Sequence, residues 1–359
     1  MIFFRADGNS KIGAGHVMRC LSIAEAAMGM SEDVFFYTAG NEFSRIIQNR
    51  TITNIVLNTD FTNMESELYF FKSEILREKP NVVFVDSYYV TKDYLWSLVE
   101  YCHSYGGKVV YIDDVLAFAY PCDFLINYNI YGPDKKQEYM DMYEQAGISA
   151  GSEGHPKFLL GLEYVPLRKQ FCNLPPRIVK DNPKDILVST GGADTAHMAL
   201  AIVKQLIALT PSELRDLKFH ILIGAMNEDK VEIEKLAVGC DNIELHFNVK
   251  DMLGLMQKCD VAISAAGSTL YELCATQTPT ITYVVADNQI PGAEGFAKRG
   301  IMKYVGDTRM VDSSTLTLRL LEYAISYTEE GAADKLTYVD TNTWYGAKKI
   351  MCECSKNLI

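Results

Sequence analysis

His16 is the side chain in this sequence best placed to do acid–base chemistry. It lies in the run Arg5-Ala6-Asp7-Gly8-Asn9-Ser10-Lys11-Ile12-Gly13-Ala14-Gly15-His16-Val17-Met18-Arg19-Cys20, where a short apolar segment feeds a glycine-flanked turn and then an opening helix. At such a junction, free backbone N–H groups and the helix dipole both favour negative charge, so phosphate or diphosphate is a natural guest. An imidazole there can act as acid or base near neutral pH. Gly13 and Gly15 allow a tight turn and close approach of backbone to ligand. Asp7, on the same loop, can orient His16 or touch a substrate, and Arg5, Lys11 and Arg19 can supply positive charge. The alternatives are structural: His16 bonded to a nearby carbonyl, and Arg19 on a solvated helix face.

Three further loops have chemistry-bearing spacing. Thr190-Gly191-Gly192-Ala193-Asp194 follows an apolar run and precedes a helical pattern, which suits a phosphate turn or a plain strand-to-helix turn. In Ser264-Ala265-Ala266-Gly267-Ser268-Thr269-Leu270-Tyr271-Glu272, the N–H groups near Gly267, Ser268 and Thr269 can receive diphosphate. Glu272 can grip ribose hydroxyls, or form a capping box with Thr269 three positions earlier. Asp287-Asn288-Gln289 stands at another strand end, as a ligand contact or a surface turn.

Other chemistries lack their spacing. Gly-Ala-Gly-His has no third glycine for a dinucleotide fingerprint, and neither a P-loop nor Gly-x-Ser-x-Gly occurs. The six histidines (His16, His103, His155, His197, His220 and His246) are scattered without a His-x-x-x-His pair, so no metal is expected. Asp113-Asp114 fits polar recognition or a turn as well as it fits a divalent ion.

The elements that must position these loops read as two similar halves. Expected strands in the first are Ile2–Phe4, Asp33–Tyr37, Asn54–Leu57, Val82–Asp86, Val109–Asp113 and Phe124–Asn127. Helical patterns lie between them at His16–Met28, Phe43–Asn49, Glu65–Glu78 and Lys92–Tyr105. Near-continuous apolar runs such as Val82–Asp86 suit parallel strands covered on both faces, with a polar residue at the ligand-bearing carboxyl edge. The second half repeats the scheme with strands Asp185–Ser189, Phe219–Gly224, Ile243–His246, Val261–Ser264 and Thr280–Val284. Its helical patterns are His197–Ala208, Lys230–Ala237, Asp251–Lys258 and Thr269–Ala275. Pro175-Pro176 and Asp181-Asn182-Pro183 place the boundary around 168–184. Two doubly wound sheets facing across a cleft would leave a natural site for an extended ligand. Towards the end, Leu318–Thr328 is helix-compatible, Gly331–Val339 is less regular, and the last residues carry no functional signal.

Composition bounds the partners. With 359 residues and 48% hydrophobic content, the chain has room for two cores. A formal charge of −12 argues against general nucleic-acid binding but not against a small anion in a local positive pocket. Nine cysteines without a Cys-x-x-Cys pair read as reduced thiols. No stretch approaches a membrane span, and the apolar start is too short for a signal peptide, so the expected location is the cytoplasm.

The loop residues resemble the bacterial UDP-sugar hydrolases of pseudaminic acid biosynthesis. That family acts on UDP-2,4-diacetamido-2,4,6-trideoxy-β-L-altropyranose and releases UDP and the free diacetamido sugar. The chain is also similar to spore-coat polysaccharide proteins and, more distantly, to GT-B glycosyltransferases that add N-acetylglucosamine to lipid-linked muramyl precursors. The resemblance rests on Arg5-x-Asp7…Ile12-Gly13-x-Gly15-His16-x-x-Arg19-Cys20, Val85-Asp86-Ser87-Tyr88, Ile112-Asp113-Asp114, Gly161-Leu162-Glu163-Tyr164-Val165-Pro166-Leu167-Arg168…Phe171, Ser189–Asp194 and Asp287-Asn288-Gln289.

It implies a GT-B-like α/β fold of two Rossmann-like domains with parallel sheets facing across a cleft. A sugar-binding and catalytic domain would span 1–170, a UDP-binding domain 171–345, and a tail 346–359. Gly191, Gly192, Gly267, Ser268 and Thr269 would surround the diphosphate, Glu272 the ribose, and backbone near Phe247 and Val249 the uracil. Asp7, Tyr88, Asp113 and Asn288 would neighbour the sugar, with Arg5, Gly13, Gly15 and Gln289 as further substrate-binding residues. His16, oriented by Asp7 or a backbone group, would activate water for attack at the anomeric carbon, with inversion if attack is opposite the leaving diphosphate, or would instead interact mainly with the phosphate. The resemblance implies no cofactor or metal, a small UDP-sugar partner, no nucleic acid and no stable membrane insertion; it does not define an oligomeric state. The alternatives are a GT-B transferase using a UDP-amino sugar and a noncatalytic UDP-sugar-binding protein.

Overall fold

The computed structural model describes residues 1–9, 11–178, 180, 182–210, 214, 216–328 and 345–355. The chain divides into two compact units, Met1–Lys169 with Trp344–Ile359, and Gln170–Thr343. Each is a Rossmann-like layer of parallel strands flanked by helices, the pair of domains that a GT-B-like fold contains.

The first unit holds seven parallel strands in the order β3-β2-β1-β4-β5-β6-β7. They are β1 (Ile2–Ala6), β2 (Val34–Thr38), β3 (Thr53–Val56), β4 (Val82–Asp86), β5 (Lys108–Ile112), β6 (Phe124–Asn127) and β7 (Lys157–Leu160). Every residue of β1 and β4 is buried, because helices cover both faces of the central strands. Phe4 stacks on Phe84 across the β1–β4 pair with ring centroids 4.7 Å apart. On the opposite face Phe3, Tyr37 and Phe71 form an aromatic cluster.

Strand order reverses direction between β1 and β4. Consecutive β-α units wind outwards to β3 on one side and to β7 on the other. The crevice at the carboxyl ends of those two strands is where such sheets place ligands. The helix α1 (Gly15–Met28) starts in this crevice.

The second unit repeats the plan with order β10-β9-β8-β11-β12-β13. Its strands are β8 (Asp185–Ser189), β9 (Lys218–Ile223), β10 (Ile243–Phe247), β11 (Val261–Ala265), β12 (Thr280–Val284) and β13 (Lys303–Asp307). Ile186, Val188, Phe219, Ile221, Ile263 and Ile281 turn one sheet face into the apolar core. Here the reversal lies between β8 and β11, so the 190–194 and 265–268 loops leave neighbouring strands at the same edge.

Eleven of these strands match the expected ones within two residues at either end. β7 and β13 were not expected, and both are edge strands. Lys-Phe-Leu-Leu is too short to show a period, and Lys-Tyr-Val-Gly-Asp is half-buried and broken by a register shift opposite Thr282/Tyr283. Gly331–Val339 lies outside the described residues. Beyond it, residues 346–355 form a helix burying Ala347, Ile350, Met351 and Cys354 against α1. Gly346 is required there, since a Cβ would stand 2.1 Å from the Val165 carbonyl oxygen. No helix among the described residues is long and apolar enough to cross a membrane.

Candidate functional site

The site of the first unit is built at the β1–β4 reversal. Asp86 ends β4 with its carboxylate inside the crevice, and α1 brings His16 and Arg19 towards it from adjacent turns of one helix face. His16 Nδ1 lies 2.6 Å from Asp86 Oδ1. Arg19 embraces the same carboxylate, with Nε donating to Oδ2 at 2.5 Å and Nη2 to Oδ1 at 2.6 Å. Its Nη1 also donates to Asp114 Oδ2 at 2.6 Å and to the Tyr128 hydroxyl at 3.0 Å. Tyr88 sets its ring edge-on to His16, with centroids 4.4 Å apart, and its hydroxyl donates to Asp114 at 3.3 Å.

Asp86 is 1% exposed. Burial pushes its carboxyl up, but Arg19 and His16 outweigh burial and hold it well below the usual carboxylate range. Ionised at neutral pH, Asp86 accepts a hydrogen bond from His16, so Nδ1 carries the hydrogen and Nε2 carries the lone pair in the neutral ring. Arg19 Nη2, 3.1 Å from Nδ1, is then a neighbour on the same oxygen rather than a donor to the ring. Among the described residues, both hydrogen-bond contacts of His16 fall on Nδ1. That fixed tautomer makes Nε2 a ready proton acceptor.

Several expected roles change. Asp7 does not orient His16: its Oδ2 accepts from Arg5 Nη1 at 2.5 Å and its Oδ1 from the Ala39 N–H at 2.7 Å. Arg5 is wholly buried and bound bidentately to Glu67 at 2.6 and 2.7 Å, so it pins the sheet to the segment 64–67 instead of facing a ligand. Asp113 is likewise internal. Its carboxylate accepts from the Tyr139 hydroxyl at 2.6 Å and from the Val115 and Leu116 N–H groups, folding the turn after β5. Burial raises its pKa, outweighing the hydrogen bonds from Tyr139, Val115 and Leu116 that oppose it. Arg19 is not on a solvated face; its side chain is 11% exposed.

Arg19 and Asp114, expected as a source of positive charge and as half of a polar pair, meet here, whereas Asp86 and Tyr128 had no expected place as the partners of His16 and Arg19. The available signal was the acid closing each of the two apolar runs, since strand ends beside a reversal carry ligand chemistry.

Gly13 has a φ of +75° and pairs with Asn9, whose side chain accepts from the Lys11 and Ile12 N–H groups. The turn leaves open space at the Cβ positions of Gly13 and Gly15. Both glycines sit where the chain enters α1, immediately before His16.

In the second unit, Gly191 adopts a φ of +90° and Gly192 accepts from the Met226 N–H at 3.1 Å. A Cβ on Gly224 would stand 2.1 Å from the Gly192 carbonyl oxygen, so the loops after β8 and β9 touch backbone to backbone. Asp194 accepts from the Met198 and Ala199 N–H groups at 3.0 and 2.8 Å, capping the helix Met198–Ala208. Ser268 occupies the N-cap position of the helix Thr269–Ala275 and makes no side-chain cap bond. Thr269 is the first helical residue, so the Thr269–Glu272 capping box is not formed. Gly267 has open space at its Cβ position, Ser268 is exposed, and Glu272 is half-buried on that helix.

Asn288 is exposed, whereas the Gln289 side-chain oxygen accepts from the Val285 N–H at 2.9 Å and holds its own loop. Phe247 ends β10 beneath the Lys230 ammonium, 4.7 Å from the ring centroid, and Val249 is half-buried two residues on.

Residues 186–328 match the model of the Glycosyltransferase family 28 C-terminal domain. The chain is 22% identical over 285 residues to an uncharacterized protein of Methanocaldococcus jannaschii, covering 77% of this chain and about half of that protein, 54%. It is 22% identical to the spore coat polysaccharide biosynthesis protein SpsG of Bacillus subtilis, covering 90% and 88% of the two chains. It is 25% identical to the UDP-2,4-diacetamido-2,4,6-trideoxy-β-L-altropyranose hydrolase of Campylobacter jejuni, covering 83% and 97%. Among solved structures, a glycosyltransferase from Rickettsia africae superposes with a TM-score of 0.61 at 14% identity, covering 99% of this chain and 98% of that one. The chain is thus distantly related to GT-B proteins that handle nucleotide sugars.

Proposed function

We propose that this chain hydrolyses a UDP-linked diacetamido-trideoxy sugar, releasing UDP and the free sugar. The observation that carries the reading is the His16–Asp86 pair, a proton acceptor with its tautomer set by an ionised carboxylate, at the strand reversal where a sugar can be held. The Campylobacter jejuni relative, matched over 97% of its length, supports the substrate class.

In this reading a water gives its proton to His16 Nε2 while its oxygen forms a bond to the anomeric carbon. The C1–O bond to the diphosphate breaks, and the electron pair leaves with UDP. Asp86 stabilises the imidazolium that forms, and Arg19 keeps Asp86 ionised. By itself, the second unit offers a diphosphate the backbone N–H groups of the loops 190–194 and 265–268, and offers a ribose the Glu272 carboxylate.

Glycosyl transfer is the second reading, favoured by the family 28 match over 186–328 and by the solved glycosyltransferase. The chemistry at C1 is then the same with an acceptor hydroxyl in place of water. Incubating the purified chain with UDP-diacetamido sugars in the absence of acceptor, while following UDP and the anomeric configuration of the sugar by NMR, separates the two. Rapid acceptor-independent release that is lost in His16→Gln supports hydrolysis. Release only when an acceptor is added overturns it in favour of transfer. UDP-sugar binding without release under either condition overturns both.

A further inference from the structure

His220 and His246, 26 residues apart, come together on the second unit's sheet through strand register. β9 and β10 run parallel with His220 opposite Glu244 and His246 opposite Leu222, so His220, Glu244 and His246 share one face. That face is opposite the apolar one carrying Phe219, Ile221, Ile243 and Leu245. His220 is fully buried, Glu244 and His246 are half-buried, and the group lies on the outer strand pair, away from the β8–β11 reversal.

The donor atoms converge. His220 Nδ1 and His246 Nε2 stand 2.9 Å apart, His220 Nδ1 is 3.6 Å from Glu244 Oε2, and His246 Nε2 is 3.6 Å from Glu244 Oε1. Metal–ligand distances of about 2.0–2.1 Å in a tetrahedral zinc site put donor atoms roughly 3.3 Å apart. The observed separations bracket that value, and parting the two imidazoles by about 0.4 Å would admit the ion. A second shell is present as well. His220 Nε2 lies 2.7 Å from Asp185 Oδ1, which fixes the hydrogen on Nε2 and turns the Nδ1 lone pair towards the other two ligands. Lys218 occupies Glu244 Oε2 at 2.7 Å, leaving Oε1 towards His246.

We propose that His220, Glu244 and His246 bind one zinc-like divalent ion, with water as fourth ligand, and that the ion clips the edge strand β10 to β9. This site is independent of the hydrolase reading, since all its ligands lie within residues 220–246 and none belongs to the His16 group. Without an ion, the same atoms can be satisfied by a His246 Nε2–H donating to His220 Nδ1, and the experiment distinguishes the two.

The full chain is treated with chelator, dialysed, and titrated with zinc by calorimetry and with cobalt(II) by visible absorption. Thermal melts are recorded with and without zinc. The expected result is one equivalent bound with a Kd below about 1 μM, a tetrahedral cobalt spectrum without thiolate charge-transfer bands, and a higher Tm with zinc. His246→Gln should weaken binding by at least about 100-fold and Glu244→Gln by at least about 10-fold, and both should lose the zinc-dependent Tm rise. Melts without metal check that the variants fold. No stoichiometric uptake below about 10 μM, cobalt–thiolate bands, or uptake by His246→Gln within 10-fold of the parent would each overturn the site. A variant pair that both melt as the parent does without metal, yet bind zinc equally well, would do the same.

Discussion

His16 and His220, one from each unit, rest on aspartates at nearly the same distance, 2.6 Å for His16 on Asp86 and 2.7 Å for His220 on Asp185. Their surroundings differ. Asp86 is buried and shared with Arg19, whose charge holds the carboxylate ionised, and the hydrogen-bond contacts of His16 among the described residues all fall on the nitrogen beside it. Asp185 is partly exposed and shared with Lys180, while the remote nitrogen of His220 meets a second imidazole and a glutamate. A carboxylate fixes an imidazole tautomer in both places. In the two proposals, what the other nitrogen meets is what separates proton transfer from metal ligation.

The largest effect expected on the first site is from His16→Gln, which removes the proton acceptor and keeps much of the volume. UDP release from a UDP-diacetamido sugar should fall by about 10²–10⁴-fold, with UDP affinity by calorimetry within about twofold of the parent. Equal turnover in the variant would remove His16 from the reaction and erase the contrast with His220.

Asp86→Asn strips the anion from between Arg19 and His16. Breaking a buried pair in this way costs about 3–5 kcal/mol, read as a lower urea midpoint. Asp113, at the end of the adjacent strand, provides the control. It is also buried, but it faces a hydroxyl and N–H groups rather than a cation, so Asp113→Asn should cost only about 1 kcal/mol. Similar losses in both variants would mean that burial, not the arginine, sets the character of Asp86.

The two aspartates also predict opposite acid behaviour. Asp86 has a folded pKa below its unfolded value of about 3.9, so its stabilisation is complete above that pH and drains as pH falls towards the folded value. Burial raises Asp113, so its contribution is fullest below its unfolded pKa and declines as pH rises through the raised one. Urea unfolding between pH 2.5 and 6 should therefore show a shallower acid limb in Asp86→Asn than in the parent, and a steeper one in Asp113→Asn. An unchanged acid limb in Asp86→Asn would show that Arg19 does not hold the carboxylate ionised.

The smallest effects belong to Tyr88. Tyr88→Phe removes a long hydroxyl contact to Asp114 and should change stability by about 0.5 kcal/mol. Tyr88→Ala uncovers one side of His16 and should lower turnover by about 3-fold, measured as kcat.

Much of the architecture was legible because parallel strands buried on both faces leave uninterrupted apolar runs. Val82–Asp86, Asp185–Ser189 and Thr280–Val284 appear in the structure with the boundaries read from sequence. The edge strands β7 and β13 were not, since a strand covered on one side needs less apolar sequence. At the site, Gly13, Gly15 and His16 were visible as a local pattern. The partner of His16 was not, because Asp86 lies 70 residues away and Asp7 is nearer in sequence, yet Asp7 is drawn to Arg5 two residues before it.

The order of apolar runs and glycine turns determined two α/β units, the crevice loops, and an imidazole at the head of a helix. Strand order and register decided the rest: which aspartate meets which histidine, which arginine serves the sheet and which the site, and that two scattered histidines share a face. Local sequence sets backbone propensity within a few residues, whereas charge pairing depends on distances that exist only once parallel strands lie side by side.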